Sequence, residues 1–201
     1  MAYLHIKRAF ALLILFPFIA IASQNFIIKN DDALLPKKTV DKINAIGNEL
    51  YAKTGVGVYV ALVQHMDTKR ILPFEKRIAV SLHKPYILLT LAVHNKKVDI
   101  IASDDAKNLI RKEDILSPFP WKGSIIPLLT AHFKNARAAI EAAILNGYSE
   151  IAEEVAEAKG VKLKSALGNV NRDIYYWLRI LFYSILALIF LNFIYRRYIK
   201  R

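Results

Sequence analysis

Residues 175–195 read YYWLRILFYSILALIFLNFIY, and Arg196-Arg197-Tyr198-Ile199-Lys200-Arg201 follow at once. About 20 mostly apolar residues suffice to cross the hydrocarbon core of a bilayer as a helix. The segment therefore predicts a transmembrane helix over 175–195. The charges of Arg196, Arg197, Lys200 and Arg201 mark the side that stays cytoplasmic. Tyr175, Tyr176 and Trp177 at one end, and Tyr195 and Tyr198 at the other, have the placement of interfacial aromatic belts.

The opening of the chain fits the same topology. Lys7 and Arg8 form a short basic region, and Ala9 to Ala22 is an apolar run of 14 residues. That length suits the core of a signal peptide, and Ala20-Ile21-Ala22 offers the small residues a signal peptidase reads. An uncleaved anchor is the alternative for 1–22. Either way the region from 24 to 174 is expected on the extracytoplasmic (periplasmic) side, with 24–160 as a domain, 161–174 as a polar linker and 196–201 as a basic cytoplasmic tail.

The formal charge of +12 divides unevenly. All 17 acidic residues lie between Asp31 and Asp173, against 22 of the 29 basic ones between Lys29 and Arg172, so the body carries about +5. The remaining charge serves topology. No run of Lys and Arg interleaved with aromatics occurs in the body, so nucleic acid is not an expected partner. With no cysteine in the chain, thiol catalysis, disulfides and cysteine-based zinc sites are excluded.

Along the body, Phe26-Ile27-Ile28 reads as a short opening strand or tether. Val40, Ile43, Ile46 and Leu50 fall at helical spacing, with Pro36 at the start and Gly55 as the stop. Val56 to Val63 is a nearly unbroken apolar run with the β-branched content of a strand buried on both faces. Phe74, Ile78 and Leu82 give a short helix, Tyr86 to Val93 a second buried strand, and Val98 to Ala102 a return strand. A helical crossover between the first two buried runs makes them parallel. Helices are expected over 126–134 and 136–159, the second with a break at Asn146-Gly147. The fold class predicted is α/β: a single three-layer domain with a small mixed sheet covered by helices, plus the C-terminal transmembrane helix.

Asp99, Asp104, Asp105, Glu113 and Asp114 gather around the end of the return strand. Calcium or magnesium binds such carboxylate oxygens, so these five are the candidate metal ligands. The spacing is not that of an EF-hand. His65, His83, His94 and His132 are scattered, with His65 and His83 the pair expected to meet near one edge. Gly-x-Ser-x-Gly, P-loop and dinucleotide patterns are all absent. Pro118-Phe119-Pro120-Trp121 stands out in a charged segment. Its prolines hold it extended, and Phe119 and Trp121 are expected to fold back onto the core, with contact to a partner or the membrane surface as the alternative that makes them candidate partner-binding residues.

The order of these features resembles the TPM domain family, membrane-tethered domains of bacterial envelopes and thylakoids, some described as phosphatases. The likeness rests on Asp31 or Asp32 ahead of Leu35-Pro36, on Lys53-Thr54-Gly55 before Val56-Gly57-Val58, on Tyr86-Ile87-Leu88-Leu89, on Val98-Asp99-Ile100, and on the alanine-rich last helix of the body. His83-Lys84-Pro85 and Ser103-Asp104-Asp105 stand where the family usually has glycine-rich turns. The resemblance implies an interaction or assembly module acting on envelope protein complexes or their quality control. It also implies, as an alternative, a metal-dependent phosphatase using carboxylates near Asp104. An accessory subunit of a membrane complex is a third reading. The expected partners are the lipid bilayer and another membrane or envelope protein.

Overall fold

A computed structural model describes residues 24–67, 70–131, 135–168 and 170–198. The predicted signal segment with Lys7 and Arg8, and the tail residues Lys200 and Arg201, lie outside the described residues.

Helix α1 (Lys37–Thr54) follows Pro36 and buries Ile43, Ile46 and Leu50 along one stripe. It ends because Gly55 adopts φ 72°, a left-handed conformation glycine reaches without a Cβ penalty, and closes its N–H on the Tyr51 carbonyl. Strand β2 (Gly57–Val63) follows, and every residue in it is buried. Helix α2 (Ile71–Ala79) then leads to β3 (Tyr86–Ala92), and a tight turn leads to β4 (Lys97–Ala102). The opening apolar residues do form a strand, β1 (Ile27–Asn30). The sheet is open, four-stranded and ordered β1-β2-β3-β4, with β1, β2 and β3 parallel and β4 antiparallel.

Strand alternation sorts the side chains into two faces. Thr90 pairs with Asp99 on one face and Leu91 with Val98 on the other. The Thr90 face meets α2, where Glu75 sits beside Thr90 and Asp99 and Phe74 packs with Val63 and Ala92. The Leu91 face looks across a groove of about 600 Å³ toward α4 (Ile126–Thr130) and α5 (Ala136–Ala158). Helices thus pack on both faces of a mixed α/β sheet. Tyr148 of α5 is fully buried and donates its hydroxyl to the Val58 carbonyl at 3.0 Å.

The expected break in α5 does not occur. The helix runs continuously through Asn146 and Gly147. Gly147 is present because Ile125 presses against it: a Cβ there would meet Ile125 Cγ1 at 2.3 Å. The segment 103–120 contains the short helix α3 (Lys112–Ile115).

The last helix, α6 (Val170–Tyr198), starts several residues before the predicted span and includes Arg196 and Arg197. Leu178, Leu181, Phe182, Leu188, Phe190 and Leu191 are all exposed along it. Among the described residues no helix is long and apolar enough to cross a membrane. The stretch leading to α6 is fastened to the body by Glu49. Its carboxylate accepts the N–H of Lys164 at 2.8 Å and of Ser165 at 2.8 Å, and pairs with Lys53. Burial opposes ionisation of Glu49, but these donors outweigh it and hold the group down at about 2.

Candidate functional site

In an open parallel sheet, ligands favour the crevice outside the carboxyl ends of the strands. Here that edge is built from three loops. Asp31 follows β1, Gln64 and His65 follow β2, and His94 and Asn95 form the turn after β3. Backbone bonds fasten them together. The Gln64 N–H donates to the Asp31 carboxylate at 3.2 Å, the His94 N–H to the Gln64 carbonyl at 3.0 Å, and the Met66 N–H to Asn95 Oδ1 at 2.9 Å. Asp32 and Ala33, just beyond Asp31, hold φ values of 49° and 48°. Such left-handed conformations cost non-glycine residues roughly 1–2 kcal/mol each and persist only when the surroundings over-determine them. Arg137 of α5 supplies that restraint by donating to the Asp32 carbonyl at 2.7 Å and to that of Ala33.

His65 meets His94, with ring centroids 4.1 Å apart, rather than His83. His83 lies before β3 begins, at the amino end of the parallel strands. A strand of seven residues spans roughly 23 Å at about 3.3 Å per residue, so His83 and His65 are held at opposite ends. His132 lies outside the described residues.

The five candidate carboxylates are dispersed. Asp99 is in mid-strand on β4 and pairs with Lys112 at 2.5 Å. Asp104 is in the turn after β4, almost wholly exposed, and pairs with Lys107 at 3.2 Å. Asp105 is exposed in the same turn. Glu113 and Asp114 are on α3, Asp114 pairing with Lys122 at 2.7 Å. Among the described residues no group of three or more His, Cys, Asp or Glu side chains is placed to hold a metal ion.

The acidic residue that sequence reasoning missed is Glu75. It is fully buried under α2 against Thr90 and Asp99. Burial raises its ionisation to about 7, and the Asp99 charge adds to that, while Thr90 and Lys112 act in the opposite direction. Neither carboxyl oxygen has a hydrogen bond of ordinary geometry among the described residues. Its position was available in the sequence: Ile71, Glu75, Ile78 and Leu82 follow one another at i, i+4, i+7 and i+11, which puts the carboxyl group on the apolar stripe.

Phe119 and Trp121 do not fold onto the core. They are 52% and 59% exposed, and their rings stack on one another at 4.9 Å with an interplanar angle of 20°. The Lys122 and Gly123 N–H groups both close on the Phe119 carbonyl, at 3.0 and 2.8 Å, so the turn that presents the pair is ordered by its own backbone. Ser117 Oγ accepts the Phe119 N–H at 3.3 Å.

No family model and no curated protein matches the chain. Among solved structures, the NMR structure of the BA42 protein from the psychrophilic bacterium Bizionia argentinensis is similar at 13% identity, over 70% of this chain and 97% of that one, with a TM-score of 0.46. A likeness that remote carries over neither a fold detail nor an activity.

Proposed function

We propose that this chain is a membrane-anchored, extracytoplasmic TPM-like module that docks a membrane or envelope protein and acts in assembly or quality control rather than in catalysis. The observation that carries the reading is the stacked, exposed Phe119–Trp121 pair on an ordered turn. Large exposed aromatics cost solvation and are enriched where proteins meet partners. The apolar side chains exposed along α6 from Leu178 to Leu191 support the anchor, because such side chains gain by leaving water for an apolar medium. The dispersal of the carboxylates, each beside its own lysine at Asp99, Asp104 and Asp114, supports docking over metal-dependent hydrolysis.

Two outcomes test the reading. Reporter fusions after Lys159 and after Arg201 are expected to report from opposite sides of the membrane, Lys159 outside; a cytoplasmic signal at Lys159 ends the proposal. Crosslinking in native membranes is expected to capture a discrete protein partner. Phe119→Ser with Trp121→Ser is expected to abolish that capture by at least about tenfold, as for loss of a central aromatic anchor worth ~2 kcal/mol or more. The same pair of substitutions is expected to change the folding free energy by under about 0.5 kcal/mol, because both rings are outside the core. Unchanged capture places the docking surface elsewhere.

A further inference from the structure

We propose that His65 and His94 form a binding site for a divalent transition metal, copper or zinc, at the carboxyl edge of the sheet. The two residues are brought together by the register of the parallel pair. Every β2 residue from Gly57 to Val63 faces a β3 residue 29 positions later, the last being Val63 opposite Ala92. The pairing continues past the strands, with the Val93 N–H on the Val63 carbonyl at 3.0 Å and the His94 N–H on the Gln64 carbonyl at 3.0 Å. The same offset of 29 sets His65 beside His94. The Met66 N–H on Asn95 Oδ1 closes the far side, so both Cα positions are fixed before any ligand arrives.

Both imidazoles are exposed, and their rings meet edge to face at 4.1 Å. Two imidazole nitrogens on one tetrahedral ion at about 2.0–2.1 Å are about 3.3 Å apart, which places their ring centres about 5 Å apart. Rotation about the χ angles of two solvent-exposed side chains supplies the difference. Imidazole selects copper, nickel and zinc, while carboxylate and carbonyl oxygens suit calcium and magnesium. The pair therefore discriminates against the hard cations expected for the dispersed carboxylates. Two protein ligands leave coordination positions for water or for a donor from a docked molecule, so the metal is accessible rather than enclosed. Affinity is expected to follow copper over zinc.

The test uses the full chain in detergent or nanodiscs, titrated with Cu²⁺, Zn²⁺ and Ca²⁺. The expected result is one equivalent of Cu²⁺ whose electron paramagnetic resonance spectrum carries hyperfine splitting from two imidazole nitrogens, with Zn²⁺ competing and Ca²⁺ not. His65→Ala and His94→Ala are each expected to weaken binding at least tenfold, while His83→Ala, an exposed histidine at the opposite end of the strands, leaves it unchanged. His65→Gln and His94→Gln repeat the measurement with a side chain that keeps bulk and polarity, which removes any effect of altered folding. Binding that survives substitution of either residue, or a spectrum with fewer than two imidazole nitrogens, overturns the assignment, as does Ca²⁺ binding of equal strength at the same residues.

Discussion

Replacing Val60 with aspartate is expected to leave the domain unfolded under conditions where the parent chain is folded. Val60 lies in the middle of β2, fully buried, with Ile27 of β1 on one side and Leu89 of β3 on the other. Its face of the sheet is lined by apolar groups, among them Val58 and Leu62 from β2 itself, both fully buried. A carboxylate there loses its hydration and gains no partner, a cost of several kcal/mol even after the group protonates. Domains of this size are stable by only about 5–15 kcal/mol, so that single change removes much or all of the margin. Leu62→Ala provides the scale. It deletes apolar volume without adding a polar group and is expected to cost about 2–5 kcal/mol. Far-ultraviolet circular dichroism and denaturant titration of the full chain in detergent would place both variants. A Val60→Asp chain that unfolded no more readily than Leu62→Ala would mean that water reaches the centre of the sheet.

The reason β2 and β3 were legible in the sequence is the same reason Val60→Asp is severe. A strand buried on both faces has few polar residues to place, so Val56 to Val63 reads as a nearly unbroken apolar run and Tyr86 to Val93 as one interrupted by the buried Thr90. The α1 stripe and its Gly55 stop were equally plain. Strand β1 was weaker because at an edge only one side is paired, and its exposed Ile28 and Lys29 break the run. The Asn146-Gly147 break was a misreading of local propensity. Glycine weakens an isolated helix, but here the missing side chain admits Ile125, and tertiary packing prevails. The sites were harder to read than the fold. His65 and His94 are adjacent only because of a register of 29, and register is a property of the paired sheet. The acidic residues near Asp104 cluster in sequence but not in space, since a strand, a turn and a short helix each carry some of them away. Phe119 and Trp121 were visible as unusual, but whether they point inward or outward depends on how the 117–123 turn closes.

Glu75→Gln is expected to stabilise the domain strongly above neutral pH and hardly at all in mild acid. The buried carboxyl titrates at about 7 against 4.5 for an exposed one. Below 4.5 both the folded and the unfolded chain hold the proton, and the group has no effect on the pH dependence. Between 4.5 and about 7 the unfolded chain has released the proton and the folded one has not, so stability falls as pH rises. The slope for one proton is ~1.4 kcal/mol per pH unit, and over this interval the loss reaches about 3 kcal/mol. Above about 7 the folded chain must ionise Glu75 beneath α2, and the full penalty stands. Three neighbouring groups act on it there: Asp99 from β4 adds repulsion, while Lys112 from α3 and Thr90 from β3 offset part of it. Lys112 is already committed to Asp99 at 2.5 Å, which limits what it returns to Glu75. Glutamine keeps the size of the side chain and cannot ionise, so the variant should lose this pH dependence and gain up to about 3 kcal/mol over the parent near pH 8. Denaturant midpoints measured from about pH 5 to about pH 8 would show two curves that coincide in acid and separate as pH rises. Parallel curves across the range would mean that Glu75 ionises normally, by drawing Lys112 away from Asp99 or by admitting water under α2.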